Sequence, residues 1–307
     1  MATHPLLPDD IRVFERGWLS SNNILLYAEA GSALVDSGYI SHATQTLALV
    51  ENALGGKPLA LLVNTHLHSD HCGGNAALQT LYPGLRTLIP PGHAEQVRRW
   101  DADALSYAPT GQSCAAFRFD AVLRPGSALR LGQRDWQVHA APGHDPHSVI
   151  LFDPELRLLI SADALWENGF GVVFPEIEGL QAFDEVAATL ELIESLQPQT
   201  VLPGHGAVFQ QVDAALAVAR QRLEQFRSDP RRHARHAAKV LLKFKLLELQ
   251  QIALSEFRLW AAHTEYFVTL HQTYFKQHDF TAWLDELLHD LVRSGVARID
   301  GQMLFNQ

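Results

Sequence analysis

The chain contains 307 residues, of which 47% are hydrophobic and 19% are charged, and its formal net charge is -10. This composition is typical of a folded globular protein, and the acidic balance argues against indiscriminate binding to polyanions. The sequence shows no run of eighteen apolar residues, no signal-peptide pattern over residues 1–10, and only two cysteines, Cys72 and Cys114, so we expect a cytoplasmic protein without a transmembrane helix or a disulfide framework.

Strand-like and helix-like segments alternate at the start of the chain. Short apolar runs at residues 24–27 and 33–35 predict strands, and residues 41–54 predict a helix. Residues 59–63 form a continuous apolar run, which is typical of a strand buried on both faces. The densest group of metal-binding side chains in the sequence follows this strand.

Three imidazoles and one carboxylate lie within six consecutive positions after residue 65: His66, His68, Asp70 and His71. Neutral imidazole and carboxylate are ligands of zinc, iron and manganese, and a solvated loop does not need this pattern. The spacing of His66 and His68 excludes the helical H-E-x-x-H arrangement, whose histidines lie four residues apart. The pattern H-x-H-x-D-H therefore predicts half of a two-metal centre, in a loop at the carboxyl end of a strand.

One loop cannot complete two metal sites, so other segments must supply ligands. His144, Asp163 and His205 each follow a predicted strand, and each adjoins glycine or other small residues. Glycine lets the backbone turn sharply and approach an ion closely. These three residues are therefore the candidate distant ligands.

Helices dominate the other predicted elements. Before residue 229 they are predicted at residues 75–81, 93–99, 183–196 and 211–226. After residue 230, where the composition changes, they are predicted at residues 234–252, 256–271 and 280–293, followed by a hairpin around Asp300 and Gly301. We therefore predict a catalytic domain at residues 1–229 and a mainly helical domain at residues 230–307. The second domain is similar to a winged-helix module, and the sequence equally allows a dimerisation piece or a piece that covers the pocket.

Several features leave two interpretations open. The basic stretch at residues 227–245 is either a helix face packed on acidic neighbours or a strip that attracts an anion such as phosphate, carboxylate or RNA. The aromatic and glycine-rich residues 166–175 either form an apolar pocket wall or pack at a sheet edge. His147 either forms a hydrogen bond near the metal site or contacts substrate, whereas Cys72 is expected to be a small buried filler.

Taken together, the motifs resemble those of the metallo-β-lactamase superfamily. The matching segments are residues 65–71, 142–144, 161–163 and 203–206, together with an early turn at residues 35–38. The resemblance implies an α/β fold in the form of a four-layer αββα sandwich, with the mainly helical C-terminal domain as an addition. In the early turn, Asp36 is expected to be a turn-capping carboxylate rather than a catalyst.

The same resemblance implies a complete set of metal ligands. His66, His68 and His144 are implied to hold a first metal, Asp70, His71 and His205 a second, and Asp163 is implied to bridge both. The implied cofactors are two divalent metal ions, zinc in the first place, although iron and manganese suit these nitrogen and oxygen donors as well.

This centre predicts a hydrolase that acts with a metal-bridging hydroxide, because two divalent ions lower the pKa of a shared water to about 7. Asp70 is the candidate for orienting that hydroxide and passing a proton to the leaving group. Many true β-lactamases of the family carry Cys or Ser near the bridging position where this chain has Asp163. This difference argues against an antibiotic as the small-molecule substrate. An apolar pocket wall at residues 166–175 would favour an ester, thioester or lactone over a polyphosphate.

Two alternative functions remain. One is a phosphodiesterase or ribonuclease that uses the same metals, although binding to nucleic acid is not favoured by the net charge. The other is an oxidoreductase similar to the persulfide dioxygenases, which use a single iron and fewer ligands. A homodimer is left open, and no membrane partner is expected.

Overall fold

Two β-sheets packed face to face form the centre of residues 7–307, the part of the chain that the computed structural model describes. The first sheet has six strands, adjacent in chain order: β1 (Ile11–Phe14), β2 (Asn23–Leu26), β3 (Ser32–Val35), β4 (Leu59–Val63), β5 (Arg86–Ile89) and β6 (Ala121–Val122). The second has five, also adjacent in chain order: β7 (Ala128–Leu131), β8 (Arg134–Ala140), β9 (Val149–Asp153), β10 (Leu158–Ala162) and β11 (Thr200–Pro203).

Helices cover the outer faces of the two sheets. Up to residue 228 the helical elements are the short 3-10 helix Ile40–His42, α1 (Ala43–Leu54), α2 (Ser69–Cys72), α3 (Asn75–Leu81), α4 (Ala94–Arg99), α5 (Phe174–Ile177), α6 (Phe183–Leu196) and α7 (Val212–Ser228). No helix within residues 7–307 combines the length and the apolar character that a membrane span requires. The expectation about a signal peptide concerns residues 1–10, of which residues 1–6 lie outside the described part of the chain.

Alternating side chains along the strands create the layers. On β3, Leu34 faces the helices and joins an apolar cluster with Val50 of α1, whereas Val35 faces the second sheet and joins a cluster with Ile160 of β10. The outer face of the second sheet packs on α6 and α7 in the same way. These layers confirm the expected four-layer αββα sandwich.

The strands that precede the predicted ligands end at one edge of the sandwich. Strands β3, β4 and β5 are parallel neighbours in the first sheet, and β10 and β11 are parallel neighbours in the second. Because the carboxyl ends of parallel strands lie at the same edge of a sheet, the loops that follow them meet.

The C-terminal part is mainly helical, as expected. Its elements are α8 (Pro230–Leu249), β12 (Gln251–Ala253), α9 (Leu254–His263), α10 (Glu265–Tyr274), α11 (Phe280–Arg293), β13 (Ala297–Asp300) and β14 (Met303–Asn306). The three strands form a small sheet in the order β12-β14-β13, and the helices bury Phe257, Phe267 and Trp283 in one apolar core, to which Val172 and Ile177 of the preceding part also belong. Asp229 accepts a hydrogen bond from the backbone N–H of Arg231 at the start of α8. The division into domains at residues 229 and 230 stays a prediction.

The structure corrects two of the helices predicted in this part. The helix predicted at residues 234–252 ends at Leu249, because Gln250 has a positive φ of 64° and Ile252 lies in β12. The helix predicted at residues 256–271 is two helices, because Thr264 is extended and its hydroxyl donates to the carbonyl of Trp260. Threonine side chains compete with helical hydrogen bonding in this way, and apolar periodicity does not reveal it.

Candidate metal centre

The cluster after β4 combines an extended segment with one turn of helix. His68 is extended and precedes α2, which carries Asp70 and His71. The prediction that the whole cluster lies in a loop is wrong for its second half, which is helical. The turn lets Asp70 and His71 join one group of candidate ligands while His66 and His68 join another.

The three distant candidates reach the same place from the second sheet. His144 follows β8, Asp163 follows β10, and His205 follows β11. All seven candidate ligands therefore fall into two groups, in each of which the potential ligand atoms lie within 4.8 Å of one another: His66, His68 and His144 in the first, and Asp70, His71, Asp163 and His205 in the second.

Asp163 lies between the two groups. Its Oδ2 is 3.4 Å from Nε2 of His144 in the first group. Its Oδ1 is 3.4 Å from Nε2 of His71 and 3.8 Å from Nε2 of His205 in the second. One carboxylate thus offers an oxygen to each side, which is the arrangement that a shared ligand requires.

Three ring nitrogens of the candidate ligands have no hydrogen-bond partner among residues 7–307. They are Nε2 of His66, Nε2 of His71 and Nδ1 of His205, and all three are buried. Buried polar atoms rarely remain unpaired in native proteins. Imidazole nitrogen and carboxylate oxygen are suitable donors for zinc, iron and manganese. The residues present therefore fit divalent metal ions.

The electrostatics of the two groups differ. Burial lowers the pKa of His71, but the carboxylates of Asp163, Asp36 and Asp70 outweigh burial and raise that pKa well above its ordinary value. In the other group, burial is the main cause that lowers the pKa of His68 to about 4. The first group therefore presents a neutral ring suited to ligation, and the second concentrates negative charge that a cation would balance.

Asp36 positions His71. Its Oδ1 accepts a hydrogen bond from the backbone N–H of Thr65, and its Oδ2 accepts one from the Thr65 hydroxyl. Oδ2 also lies 2.8 Å from Nδ1 of His71. A carboxylate on the far ring nitrogen of a candidate ligand fixes the orientation of the ring. The hydrogen bonds of this carboxylate join it to Thr65 and His71 and not to the backbone of its own turn, so the expected turn-capping role is not what the described residues show. The contact with His71 was missed, and the pairing of β3 with β4 is the feature from which it could have been found.

His144 is held in a comparable way. Its Nδ1 lies 2.5 Å from the carbonyl oxygen of Val172, which leaves Nε2 facing the cluster. Gly171 packs against the same ring so closely that a Cβ at this position would collide with it. The segment after β10 therefore holds the ring of His144, a candidate ligand, in place.

Trp18 was not singled out in the sequence, and it covers His205. The two rings are stacked, with centroids 5.4 Å apart and planes 10° from parallel. Trp18 is nevertheless 57% exposed, so it forms a rim of the site and not part of the core. No local pattern in the sequence indicates this role.

A cavity of about 360 Å³ opens beside the candidate ligands. His68, Asp70, His144, Asp163 and His205 contribute to its floor. Its apolar walls come from both parts of the chain, namely from Trp18, Trp166, Val172, Phe174, Val240, Leu241 and Phe244. The centre is thus reached through a largely apolar pocket that α8 helps to enclose.

The two interpretations of residues 166–175 both hold, for different residues. Trp166 and Phe174 line the cavity. Phe170 and Val173 are buried and pack in the core against α6 and α7. The segment is therefore at once a wall of the pocket and part of the outer core of the second sheet.

His147 and Cys72 lie outside the cavity lining. The backbone N–H of His147 donates to Asp145, and its ring packs against that of His93 with centroids 4.6 Å apart. Cys72 is fully buried and its sulfur lies 3.2 Å from the hydroxyl of Tyr107, which agrees with the expected small buried filler. His147 forms no hydrogen bond with the seven candidate ligands in the described part of the chain.

Much of the basic stretch at residues 227–245 is paired with carboxylates. Arg235 and Lys239 both contact Asp290, and Arg227 contacts Asp184. These contacts favour the interpretation of a helix face packed on acidic neighbours over that of a strip that attracts anions.

Comparisons with known proteins agree with this geometry. The family model described as Metallo-beta-lactamase superfamily matches residues 16–205. The acyl-coenzyme A thioesterase MBLAC2 of Bos taurus is 28% identical over 235 residues, which cover 67% of this chain and 81% of that protein. A hydroxyacylglutathione hydrolase of Francisella tularensis subsp. holarctica is 28% identical over 162 residues, which cover 52% of this chain and 54% of that protein.

Solved structures show the same fold. A metallo-beta-lactamase family protein from Thermus thermophilus covers 98% of this chain and is itself covered completely, with a TM-score of 0.56 at 21% identity. The protein TTHA1623, solved in a di-iron-bound form, covers 68% of this chain and is covered over 98% of its own length, with a TM-score of 0.54 at 26% identity. The expected enzyme class, a metallo-β-lactamase-like hydrolase, is confirmed by the curated relatives. Because the family model matches residues 16–205, which is more than half of the chain, the chain belongs to the metallo-β-lactamase superfamily.

Proposed function

We propose that this protein is a dinuclear metal-dependent thioesterase. The observation that carries the proposal is the position of Asp163, whose two oxygens face two separate groups of histidines at the floor of an apolar cavity. A single ion does not need both groups, since structural and catalytic zinc sites use three or four protein ligands.

The ligands divide into two sets that share one carboxylate. His66, His68 and His144 would hold one ion, and Asp70, His71 and His205 would hold the other. Asp163, whose oxygens face both groups, would be available to either ion. When bound, a pair of divalent ions supplies a nucleophilic hydroxide at neutral pH and polarises the carbonyl group of the substrate. Zinc, iron and manganese all suit these donors.

Asp70 has a second role in the proposal. Its Oδ2 lies 3.1 Å from Nε2 of His205, and the side chain also lines the cavity. A carboxylate that reaches the reacting centre can accept a proton and deliver it to a leaving group. We assign this proton transfer to the carboxylate of Asp70.

The apolar cavity and the relatives together favour a thioester over a lactone or a simple ester. The walls formed by Trp18, Phe174 and the α8 residues Val240 and Phe244 provide an apolar surface for an acyl group. Both kinds of curated relative carry names that denote thioester substrates. A phosphodiester substrate has less support, because Arg235 and other basic side chains of α8 are paired with carboxylates.

Metal analysis combined with a substrate panel tests the proposal. The metal content of the purified protein is measured by mass spectrometry, and hydrolysis is measured for butyryl-CoA, octanoyl-CoA, lactoylglutathione, a lactone, a cephalosporin and bis-p-nitrophenyl phosphate. We expect about two metal equivalents and a kcat/KM for a thioester about 100-fold or more above that for the other classes. A single metal equivalent, or fastest turnover of the phosphodiester or the cephalosporin, contradicts the proposal.

A further inference from the structure

Arg222 of α7 reaches the cavity without a carboxylate partner in the described part of the chain. It lines the cavity beside Asn168 and Gly171. Its hydrogen bond there joins Nη1 to the carbonyl oxygen of Phe170, at 3.4 Å. None of the ion pairs within residues 7–307 includes its guanidinium, although Arg220, two positions earlier, holds Glu194 through two nitrogens. A half-buried guanidinium has five N–H donors, so most of those on Arg222 are left for a ligand.

The backbone is shaped to hold this side chain. Gly169 has a φ of 118°, and a Cβ on Gly169 would lie 2.5 Å from Nη1 of Arg222. The segment turns tightly here, since the backbone N–H of Trp166 donates to the carbonyl of Gly169 at 2.6 Å. Glycine at position 169 therefore serves two needs, the left-handed conformation and the close approach of the guanidinium.

His236 of α8 completes the surroundings of Arg222. It lines the same cavity, and burial followed by the charge of Arg222 lowers its pKa to about 4. Its imidazole is therefore neutral near pH 7. It carries one N–H donor and adds no second positive charge beside the guanidinium. Burial also lowers the pKa of Arg222.

Arg222 is the single lysine or arginine among the described residues that line the cavity. The exposed carboxylate of Glu167 lines it as well but lies outside ion-pair distance of the guanidinium. The neighbouring walls of the cavity are apolar. A cation without a partner is unfavourable in such surroundings, and an anionic ligand would supply the missing partner. Arginine also binds the two oxygens of a carboxylate or a phosphate in a forked geometry.

We propose that Arg222 and His236 form an anion subsite that binds a carboxylate or phosphate group of the thioester substrate. The subsite selects substrates that combine an apolar acyl group along α8 with an oxyanion held at Arg222. The oxyanion belongs either to the acyl part or to the thiol part of the substrate. The substrate class in this inference rests on the proposed thioesterase function. The binding of an anion at Arg222 does not depend on that function.

A set of four thioesters separates the two sources of the anion. Butyryl-N-acetylcysteamine is uncharged, glutaryl-N-acetylcysteamine carries a carboxylate on the acyl side, butyrylglutathione carries carboxylates on the thiol side, and butyryl-CoA carries phosphates on the thiol side. For the metal-loaded protein we expect kcat/KM for at least one charged thioester to exceed that for the uncharged one by about tenfold or more. The charged compound that is preferred identifies the source.

Variants of Arg222 test the residue itself. In Arg222→Gln the preference for the charged thioester falls by about 10- to 100-fold, and in Arg222→Lys, which keeps the charge but loses the fork, it falls by a smaller factor. Arg220→Gln is the matched control, because it removes an exposed arginine of the same helix, and the preference is retained. Equal effects of Arg222→Gln on charged and uncharged thioesters, or no preference in the wild-type protein, overturn the proposal.

A binding measurement keeps this inference separate from the proposed function. If none of the four thioesters is hydrolysed by the metal-loaded protein, the thioesterase assignment has failed, and calorimetric titration with glutarate and with inorganic phosphate decides about Arg222. We expect Kd for at least one of these anions to rise about tenfold in Arg222→Gln and not in Arg220→Gln. The same Kd in both variants rules out the anion subsite.

Discussion

The carboxylate Oδ2 of Asp36 lies 2.8 Å from Nδ1 of His71, and this contact leaves Nε2 of the ring facing Asp163. The same carboxylate binds the backbone N–H and the hydroxyl of Thr65, so it is itself held in place. Asp36, which directly follows β3, thereby holds a candidate ligand that belongs to the segment after β4. Removal of the charge on Asp36 is the first way to test whether this connection serves metal binding.

We expect Asp36→Asn to weaken metal binding by about 10- to 100-fold, a size typical of lost support for a metal ligand. Asparagine tolerates the positive φ of 57° at this position, so the backbone is not strained. Competition with a chromophoric chelator measures the affinity. Asp120→Asn is the control. The carboxylate of Asp120 also accepts a hydrogen bond from a backbone N–H, that of Thr87, but Asp120 lies away from the cluster. Unchanged metal affinity in Asp36→Asn contradicts the positioning role.

Substitution of the candidate ligands themselves is expected to remove activity and leave the fold intact. Asp163→Asn removes the carboxylate charge between the two groups, and His68→Ala removes a donor from the first group. Both should lower kcat/KM by about 1000-fold or more, and Asp163→Asn should reduce the metal content toward one equivalent. Circular dichroism checks the fold, and His139→Ala, on the surface of β8, serves as the control. Retained turnover in both variants would refute the assignment of the centre.

Gly204 supports Asp163 by having no side chain. A Cβ on Gly204 would collide with Oδ1 of Asp163, and its φ is not in the left-handed region, so the effect of alanine is steric. We expect Gly204→Ala to displace the carboxylate and to lower kcat/KM by about 100-fold, because small misplacements of reacting groups cost this much. Gly84→Ala is the control, since a Cβ there meets no atom within 4 Å. Equal kcat/KM in the two variants contradicts this prediction.

The wall contributed by α8 predicts which acyl groups are accepted. Val240 lines the cavity and is 38% exposed, so Val240→Phe narrows the pocket without disturbing a buried core. We expect the ratio of kcat/KM for octanoyl-CoA to that for acetyl-CoA to fall by about tenfold or more. Val218→Phe, at a comparably exposed valine of α7, should leave the ratio unchanged. An unchanged ratio in Val240→Phe would show that the acyl group lies elsewhere.

His233 makes the stability of the fold depend on pH. Its Nε2 accepts a hydrogen bond from the backbone N–H of Val173, and burial followed by the influence of His236 lowers the pKa of His233 to about 3. Between pH 6.5 and pH 3 the unfolded chain binds a proton at this residue and the folded chain does not. The folded state therefore loses stability as the pH falls through this window, by up to about 1.4 kcal/mol per pH unit, and the contribution is complete above pH 6.5.

Urea unfolding of the wild-type protein and of His233→Gln between pH 4 and pH 7 measures this contribution. Glutamine keeps an acceptor for the N–H of Val173 and does not titrate. We expect a shallower loss of unfolding free energy toward acid pH in the variant. Identical slopes for the two proteins contradict the prediction.

Elements with a strong local pattern agree with their predictions. The helices at residues 183–196 and 280–293 begin and end where their periodicity predicts, and the hairpin around Asp300 and Gly301 is present. The errors lie at Gln250 and Thr264, where a single backbone conformation or a side-chain hydrogen bond ends a helix. A composition that favours helix on both sides of such a residue does not predict the break.

The sequence by itself determined the superfamily and picked out seven residues that the fold brings together, because the donors follow strands and lie in short, recognisable segments. Tertiary structure alone decided which side chains surround them. The contact of Asp36 with His71, the cover of Trp18 over His205 and the approach of Arg222 to Gly169 join residues that are distant in the chain. Such contacts depend on how sheets and helices pack against one another, and packing leaves no periodic pattern in any one segment.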